Sequence, residues 1–236
     1  MSRIVFVTGD KGGVGKSFTS RVLLDWYGER GIKIKTFDTD KTNSTLFRFF
    51  SSSESDGLML NQLDTDNQGD LDAFLNQVAG SKDEVFVIDC AARTMDRFLV
   101  WMKEVGFFEL TREHDIKVTL AFVLGPEKDC VAILKDIASE FEKNAEYILI
   151  KNEGKGSEFK VYDGSKTRER ILKSLSGIEI KIPLLHSKTS LEVDRLSIPF
   201  SVAKDSTALG LAERSRVRTF QARAFLELDQ AEALWK

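Results

Sequence analysis

Cysteine, histidine and proline are scarce in these 236 residues. Two cysteines, Cys90 and Cys130, and two histidines, His114 and His186, stand singly, which excludes a disulfide scaffold and a zinc site. No apolar run approaches the roughly 18 residues a membrane helix needs. Met1-Ser2-Arg3 runs straight into Ile4-Val5-Phe6-Val7 without a signal pattern, so a cytoplasmic protein is expected. A formal net charge of −3 argues against a strongly basic nucleic-acid binder. The three prolines, Pro126, Pro183 and Pro199, mark no linker, and there is no repeat or low-complexity tract. A single domain over residues 1–236 is the simpler expectation.

Hydrophobic residues make up 42% and charged residues 30%, enough to build a packed core. Short β-branched or aromatic runs predict strands at Ile4–Thr8, Ile32–Phe37, Val85–Ile88, Val118–Leu124, Tyr147–Ile150 and Ile178–Ile182. Helical patterns lie between them at Lys16–Arg30, Leu71–Val78, Asp129–Lys143 and Lys166–Leu175. This alternation predicts an α/β fold: a mostly parallel twisted sheet with helices on both faces, in three layers. A long C-terminal helix, about 208–235, carries Val217, Phe220, Ala224, Leu228, Ala231 and Trp235 at steps of three and four, a stripe suited to docking on the sheet. Charge is uneven: residues 1–150 sum to −7 and residues 151–236 to +4.

The strongest chemical signal follows the first predicted strand, in Gly9-Asp10-Lys11-Gly12-Gly13-Val14-Gly15-Lys16-Ser17. A loop that wraps a phosphate needs small residues so that successive backbone N–H groups can turn inward. Gly12, Gly13 and Gly15 meet that need, Lys16 would reach the β- and γ-phosphates, and Ser17 would offer its hydroxyl to Mg²⁺. The helix starting here would point its positive end at the anion. Asp10 stands where the ordinary signature has its first glycine, and Lys11 follows it.

This K-G-G-x-G-K-[ST] segment closely resembles the deviant phosphate loop of the ParA/MinD family of P-loop ATPases, which includes the plasmid- and chromosome-partition ATPases. The resemblance implies a P-loop NTPase fold, ATP and Mg²⁺ as cofactors, and an ATP-binding segment running from Asp10 through Lys11, Gly12, Gly13, Val14, Gly15, Lys16 and Ser17 to Phe18. It also implies that Lys11 reaches across a homodimer to phosphates held by the other subunit. A second cation placed there would neutralise charge developing on the leaving group.

Two predicted strands end in aspartates, where ligands of parallel sheets sit. Asp38-Thr39-Asp40 resembles the family's first switch, which implies that Asp40 orients the attacking water and that Asp38 supports the magnesium shell. The continuation Lys41-Thr42-Asn43 is one residue shorter than the family pattern and lacks its proline. Asp89, after four apolar residues, is expected on the magnesium side through a water and opens a variant second switch, Asp89-Cys90-Ala91-Ala92-Arg93. For a single aspartate a helix N-cap is the competing reading. Asn152 resembles the family's adenine contact, since an amide pairs with both N6 and N7 of that base; a turn-forming role is equally open. Ile182-Pro183-Leu184 resembles the segment flanking the adenine, with a plain turn as its alternative.

The expected function is a Mg²⁺-dependent ATPase working as an ATP-gated sandwich-dimer switch, in plasmid or chromosome partition or DNA transfer, with a small adaptor or activator protein as partner. Non-specific DNA would meet Arg214, Arg216, Arg218 and Arg223 on the last helix, or Lys166, Arg168, Arg170 and Lys173; ordinary edge-of-helix snorkelling is the competing reading and the preferred one for the former set. The alternatives are a biosynthetic ATP-dependent ligase or synthetase on the same fold and a MinD-like membrane-positioning ATPase, although a membrane partner is disfavoured. Asp64–Gly69 mimics a calcium loop but has Leu75 where a bidentate glutamate belongs. The two cysteines read as buried structural thiols.

Overall fold

The computed structural model describes residues 1–9, 12–51, 57–127 and 129–236. In chain order the elements are β1 (Ser2–Gly9), α1 (Lys16–Glu29), β2 (Ile34–Asp38), α2 (Thr45–Phe50), β3 (Leu58–Gln62), α3 (Gln68–Ala79), β4 (Val85–Asp89), α4 (Thr94–Val105), α5 (Phe107–Glu113) and β5 (Ile116–Leu124). They continue with α6 (Asp129–Phe141), β6 (Glu146–Asn152), α7 (Lys160–Asp163), α8 (Lys166–Ser174), β7 (Ile178–Ile182), α9 (Ser187–Leu196), α10 (Phe200–Ala203) and α11 (Leu211–Asp229).

The seven strands form one sheet in the order β3-β2-β4-β1-β5-β6-β7, and every neighbouring pair is parallel. Alternation along β1 divides the interior in two. Ile4 and Phe6 point into a core shared with Phe74 of α3, Phe98 of α4, Phe107 of α5 and Leu134 of α6. Val5 and Val7 point into a second core shared with Leu23 of α1, Phe49 of α2, Val193 of α9 and Phe220 of α11. Burial on both faces explains the near-continuous apolar character of the central strands, and the expected three-layer α/β/α architecture follows.

The six strands read from the sequence are present, each within two residues of its expected start and end. The seventh, β3, pairs only with β2 at the sheet edge; its Leu58-Met59-Leu60-Asn61-Gln62 is at most half-buried and so carries a weak apolar signal. The C-terminal helix is shorter than expected. It runs from Leu211 to Asp229, after which a 3₁₀ turn at Glu232–Leu234 brings Trp235 back beneath α1. There Trp235 is fully buried, its indole N–H donates to the Leu228 carbonyl at 3.0 Å, and its own carbonyl accepts from the Tyr27 hydroxyl at 2.5 Å. The apolar stripe of α11 is thus committed to the core, leaving only Leu211 and Leu226 as large exposed apolar side chains on that helix. No helix among the described residues is long and apolar enough to cross a membrane.

Local caps explain several helix starts. The Asn67 side chain accepts from the Gly69 N–H at 3.0 Å to open α3, and Ser165 accepts from the Arg168 N–H at 3.1 Å to open α8. Helix α10 is anchored by a longer reach. Asp25 of α1 accepts from the Phe200 N–H at 2.8 Å, the Ser201 N–H at 3.3 Å and the Ser201 hydroxyl at 2.5 Å. Burial pushes the Asp25 carboxyl up to about 6 in spite of those bonds and nearby Arg21. A raised native pKa means that the native state binds a proton more tightly than the unfolded chain does. The stabilising contribution is therefore complete below about pH 4 and lost as pH rises through about 6. Relative to Asp25→Asn, the wild type should lose about 2 kcal/mol of unfolding free energy between pH 4 and pH 7. Urea denaturation of both proteins across that range measures it, and a pH-independent difference contradicts it.

Candidate phosphate-binding site

The chain fills one side of the sheet through β2, β3 and β4 and then the other through β5, β6 and β7, so β1 sits where the winding reverses. Crevices beyond the carboxyl ends of strands at such a point are where α/β sheets hold ligands. The glycine-rich loop leaves β1 at that place and enters α1. Gly13 and Gly15 have φ of +89° and +101°, a region costly to any residue with a Cβ. Gly15 caps α1 with no side-chain hydrogen bond, so the positive end of the helix faces the loop. Lys16 is buried, Ser17 and Phe18 are half-buried, and the Val14 side chain packs into the core. Asp10 and Lys11 lie outside the described residues.

Asp38 and Asp89 are the last residues of β2 and β4 and are paired in register, while Val7 of β1 pairs with Asp89. Asp89 accepts from the Ser20 hydroxyl at 2.8 Å and is also hydrogen-bonded by Ser17. Burial raises its pKa, and neighbouring Asp40 adds to the rise while Ser17, Ser20 and Lys16 oppose it. Asp38 accepts from the Asp40 N–H at 2.9 Å and the Leu46 N–H at 3.2 Å. Burial pushes Asp38 up to about 7, with the charge of Asp89 contributing. Buried carboxylates that oppose each other's ionisation, beside a serine hydroxyl, are a donor set suited to a hard divalent cation with waters and phosphates completing its shell. Among the described residues no group of three or more His, Cys, Asp or Glu side chains makes a self-sufficient metal cage. Asp40 is half-exposed, and its carboxylate accepts from the Thr42 and Asn43 N–H groups at 3.0 and 2.9 Å, which shapes the shortened loop.

Asn152, the last residue of β6, does two things at once. Its amide N–H donates to the Val14 carbonyl at 2.8 Å, and its oxygen accepts from the Gly154 N–H at 3.0 Å. It therefore braces the glycine loop from behind as well as forming the local turn. Both Asn152 and Pro183 line a cavity of about 480 Å³ together with Gly15, Phe18, Leu184 and Leu191, so residues far apart in sequence meet beside α1. A second cavity, about 670 Å³, lies between Gly12, Ala91–Arg93, Asp96 and Asp129.

Sequence reasoning missed two contributors. Ser20 holds Asp89 from one turn beyond Ser17, a helical spacing that would have shown it. Arg21 lines the 480 Å³ cavity, with its guanidinium 3.3 Å from the Phe49 ring centroid and 4.6 Å from that of Phe200, and donates to Asp194 at 2.8 Å. Burial lowers its pKa to about 10. Nothing in the local sequence announces that aromatic cage, which three separate elements assemble. On α11, Arg214 donates to the Leu209 carbonyl at 2.6 Å, Arg218 to Asp205 at 2.7 Å, and Arg216 lies 3.6 Å from Glu213. In the second basic set, Arg168 binds Glu179 at 2.7 Å and Lys173 binds Glu169 at 2.9 Å. The Asp64–Gly69 segment is the turn at Asp64–Asn67 and the first residues of α3, with Asp64 paired to Lys41. Cys90 and Cys130 are buried.

No family model matches the sequence. Protein MobD of Acidithiobacillus ferrooxidans is 26% identical over 230 residues, spanning 95% of this chain and 96% of MobD. A TraL protein of Escherichia coli is 26% identical over 253 residues, spanning 99% of this chain and all of TraL. Among solved structures, MinD of Pyrococcus horikoshii complexed with Mg-ADP superposes with a TM-score of 0.58 at 17% identity, covering 100% of this chain and 99% of MinD. A nucleotide-binding protein of Archaeoglobus fulgidus in complex with ADP gives 0.55 at 21% identity, over 83% and 86% of the two chains. A plasmid partition protein of Borrelia burgdorferi bound to AMPPNP gives 0.55 at 12%, over 98% and 100%. These likenesses show the fold: a parallel three-layer α/β/α sheet of the P-loop NTPase kind, with a glycine-rich loop after β1, similar to that of MinD.

Gly15 provides a test of the loop geometry in the nucleotide-free protein. A Cβ there would stand 2.1 Å from the Asn152 amide nitrogen at a strained φ, whereas one at Gly12 would meet nothing within 4 Å among the described residues. Gly15→Ala should therefore destabilise the fold by about 1–3 kcal/mol and Gly12→Ala by less than about 1. Thermal melting compares them; equal melting temperatures contradict the geometry.

Proposed function

We propose that the chain is a Mg²⁺-dependent ATPase whose ATP-bound form is a sandwich homodimer and whose hydrolysis step releases the dimer. The observation that carries this reading is the α1 N-terminus, entered through positive-φ glycines, with Ser17, Asp38 and Asp89 converging beside it. The loop and Lys16 would hold the phosphates, and Asn152 and Pro183 would flank the base in the 480 Å³ cavity. Ser17 and Asp89, with Asp38 behind them, would hold Mg²⁺, which when bound neutralises phosphate charge. Asp40 would receive hydrogen bonds from the attacking water and orient it. Such a nucleotide-gated dimer is a switch, so turnover is slow without an activator protein.

Plasmid or chromosome partition, or DNA transfer, is the use we infer. It draws support from the full-length similarity to a plasmid partition protein and to MobD and TraL. A cytoplasmic location accords with that use. Lys11 is assigned the role of completing the partner's phosphate site. Lys11→Ala should abolish ATP-dependent dimerisation in sedimentation velocity and lower hydrolysis by at least about tenfold. A variant that dimerises and hydrolyses like the wild type contradicts the assignment.

DNA is the proposed non-specific partner of the basic second half, although the pairing of Arg214, Arg216 and Arg218 within the chain reduces what α11 offers. Retention on DNA should require ATP and fall steeply with salt. Salt-independent or absent retention removes DNA from the cycle.

One observation favours a second reading. The 670 Å³ cavity beside Gly12 and Ala91–Arg93 is where a ligase or synthetase of this fold would seat a second substrate. In the switch reading the same space receives the twin subunit. Phosphate release from ATP without any added small molecule distinguishes the two.

A further inference from the structure

The middle residue of Asp38-Thr39-Asp40 is a threonine whose hydroxyl joins the two aspartate-bearing loops. Thr39 is buried, at 7% exposure. Its hydroxyl donates to the Asp89 carbonyl at 2.9 Å and accepts from the Ala91 N–H at 2.8 Å. Its own N–H donates to that same Asp89 carbonyl at 3.2 Å. Thr94, at the start of α4, donates its hydroxyl to the Ala91 carbonyl at 2.6 Å and sits 3.4 Å from the Thr39 hydroxyl. Since each hydroxyl proton is already given to a carbonyl, the contact between the two hydroxyls is packing rather than a third bond. Ala91 is thus held on both sides, its N–H by Thr39 and its C=O by Thr94.

What this clasp holds is the short segment from Asp89 to Arg93. Arg93 closes it in a left-handed conformation, φ +64°, without a glycine, so the segment has one strained exit that surrounding bonds must maintain. The same segment walls the 670 Å³ cavity beside Gly12. On the other side of Thr39, the Asp40 N–H is fixed by the Asp38 carboxylate and the Asp40 side chain organises Thr42 and Asn43. One buried hydroxyl therefore lies between the group proposed to orient water and the loop proposed to face the γ-phosphate or the twin chain.

We propose that Thr39 is a positioning residue that makes the two loops move as one, so that rearrangement at Asp40 on nucleotide binding is transmitted to Ala91–Arg93. The proposal rests on the ATPase reading above, and it requires the hydroxyl specifically. An isosteric Thr39→Val keeps the buried methyl group and the backbone N–H bond of residue 39, replaces the hydroxyl by a second methyl, and so deprives the Ala91 N–H of its acceptor and the Asp89 carbonyl of one donor. Thr39→Ser keeps the hydroxyl.

Amide hydrogen exchange on the full-length protein reads the clasp without any catalysis. In the nucleotide-free state, exchange at Ala91 should be about tenfold faster in Thr39→Val than in the wild type and near wild type in Thr39→Ser. On adding Mg-ATP, wild type and Thr39→Ser should gain protection over residues 90–94, whereas Thr39→Val should not. Steady-state hydrolysis should then show KM within about twofold of wild type for both variants, with kcat about tenfold lower for Thr39→Val alone. Unchanged exchange at Ala91 in Thr39→Val overturns the clasp. Equal kcat for wild type and Thr39→Val, or a Thr39→Ser variant as slow as Thr39→Val, overturns the coupling. If the wild type itself neither binds nor hydrolyses ATP, the ATPase reading fails and the coupling with it, while the nucleotide-free exchange result still decides whether the hydroxyl holds the loop.

Discussion

The turn from β1 into α1 exists because Gly13 and Gly15 accept positive φ and because Asn152 reaches from β6 to bind the Val14 carbonyl. Helices usually complete their first turn with a polar side chain, as Asn67 and Ser165 do for α3 and α8. Helix α1, like α2, α4 and α11, has no side-chain cap; what sets it apart is that its positive end is entered through left-handed Gly15 from a loop of small residues. Because β1 sits where the winding of the sheet reverses, the carboxyl ends of β2, β4 and β6 come within reach of that loop. The positions of Asp38, Asp89 and Asn152 all follow from this one turn and the strand order around it.

Electrostatics gives the site its direction. Burial of Asp38 and Asp89 disfavours their charged forms and raises the pKa of both groups. Ser17, Ser20 and Lys16 offset part of that cost for Asp89. A divalent ion with a triphosphate would offset more of it, so ligand binding and ordering of the two loops draw on the same free energy. The Thr39 hydroxyl places a mechanical link where that free energy is released, between the shortened first loop and a second loop that has neither proline nor glycine between Asp89 and Arg93.

The architecture was legible in the sequence because buried parallel strands such as Ile4–Val7 and Tyr147–Ile150 are apolar on both faces and stand out against their surroundings. Edge strand β3 was not legible, since Met59 and Gln62 are exposed and its alternation is weak. The end of α11 was misjudged because Ala231 and Trp235 continue the apolar spacing after the backbone has left the helix. The glycine loop and its flanking aspartates could be read because each lies at a strand end with a recognisable pattern. Asn152 was visible as a residue, but its bond to Val14 is a contact across 138 positions that no local pattern encodes. The same holds for the Arg21 cage and for Thr39, whose partners lie 50 residues downstream.

The central claim, that this turn wraps the phosphates of a magnesium-bound nucleotide, is tested most directly by calorimetric titration with Mg-ATP of the wild type and of Lys16→Ala. The structure predicts one site per chain in the wild type, weakened roughly 10- to 100-fold when the buried lysine is removed. Absence of binding in the wild type, or equal affinity in the two proteins, would contradict it.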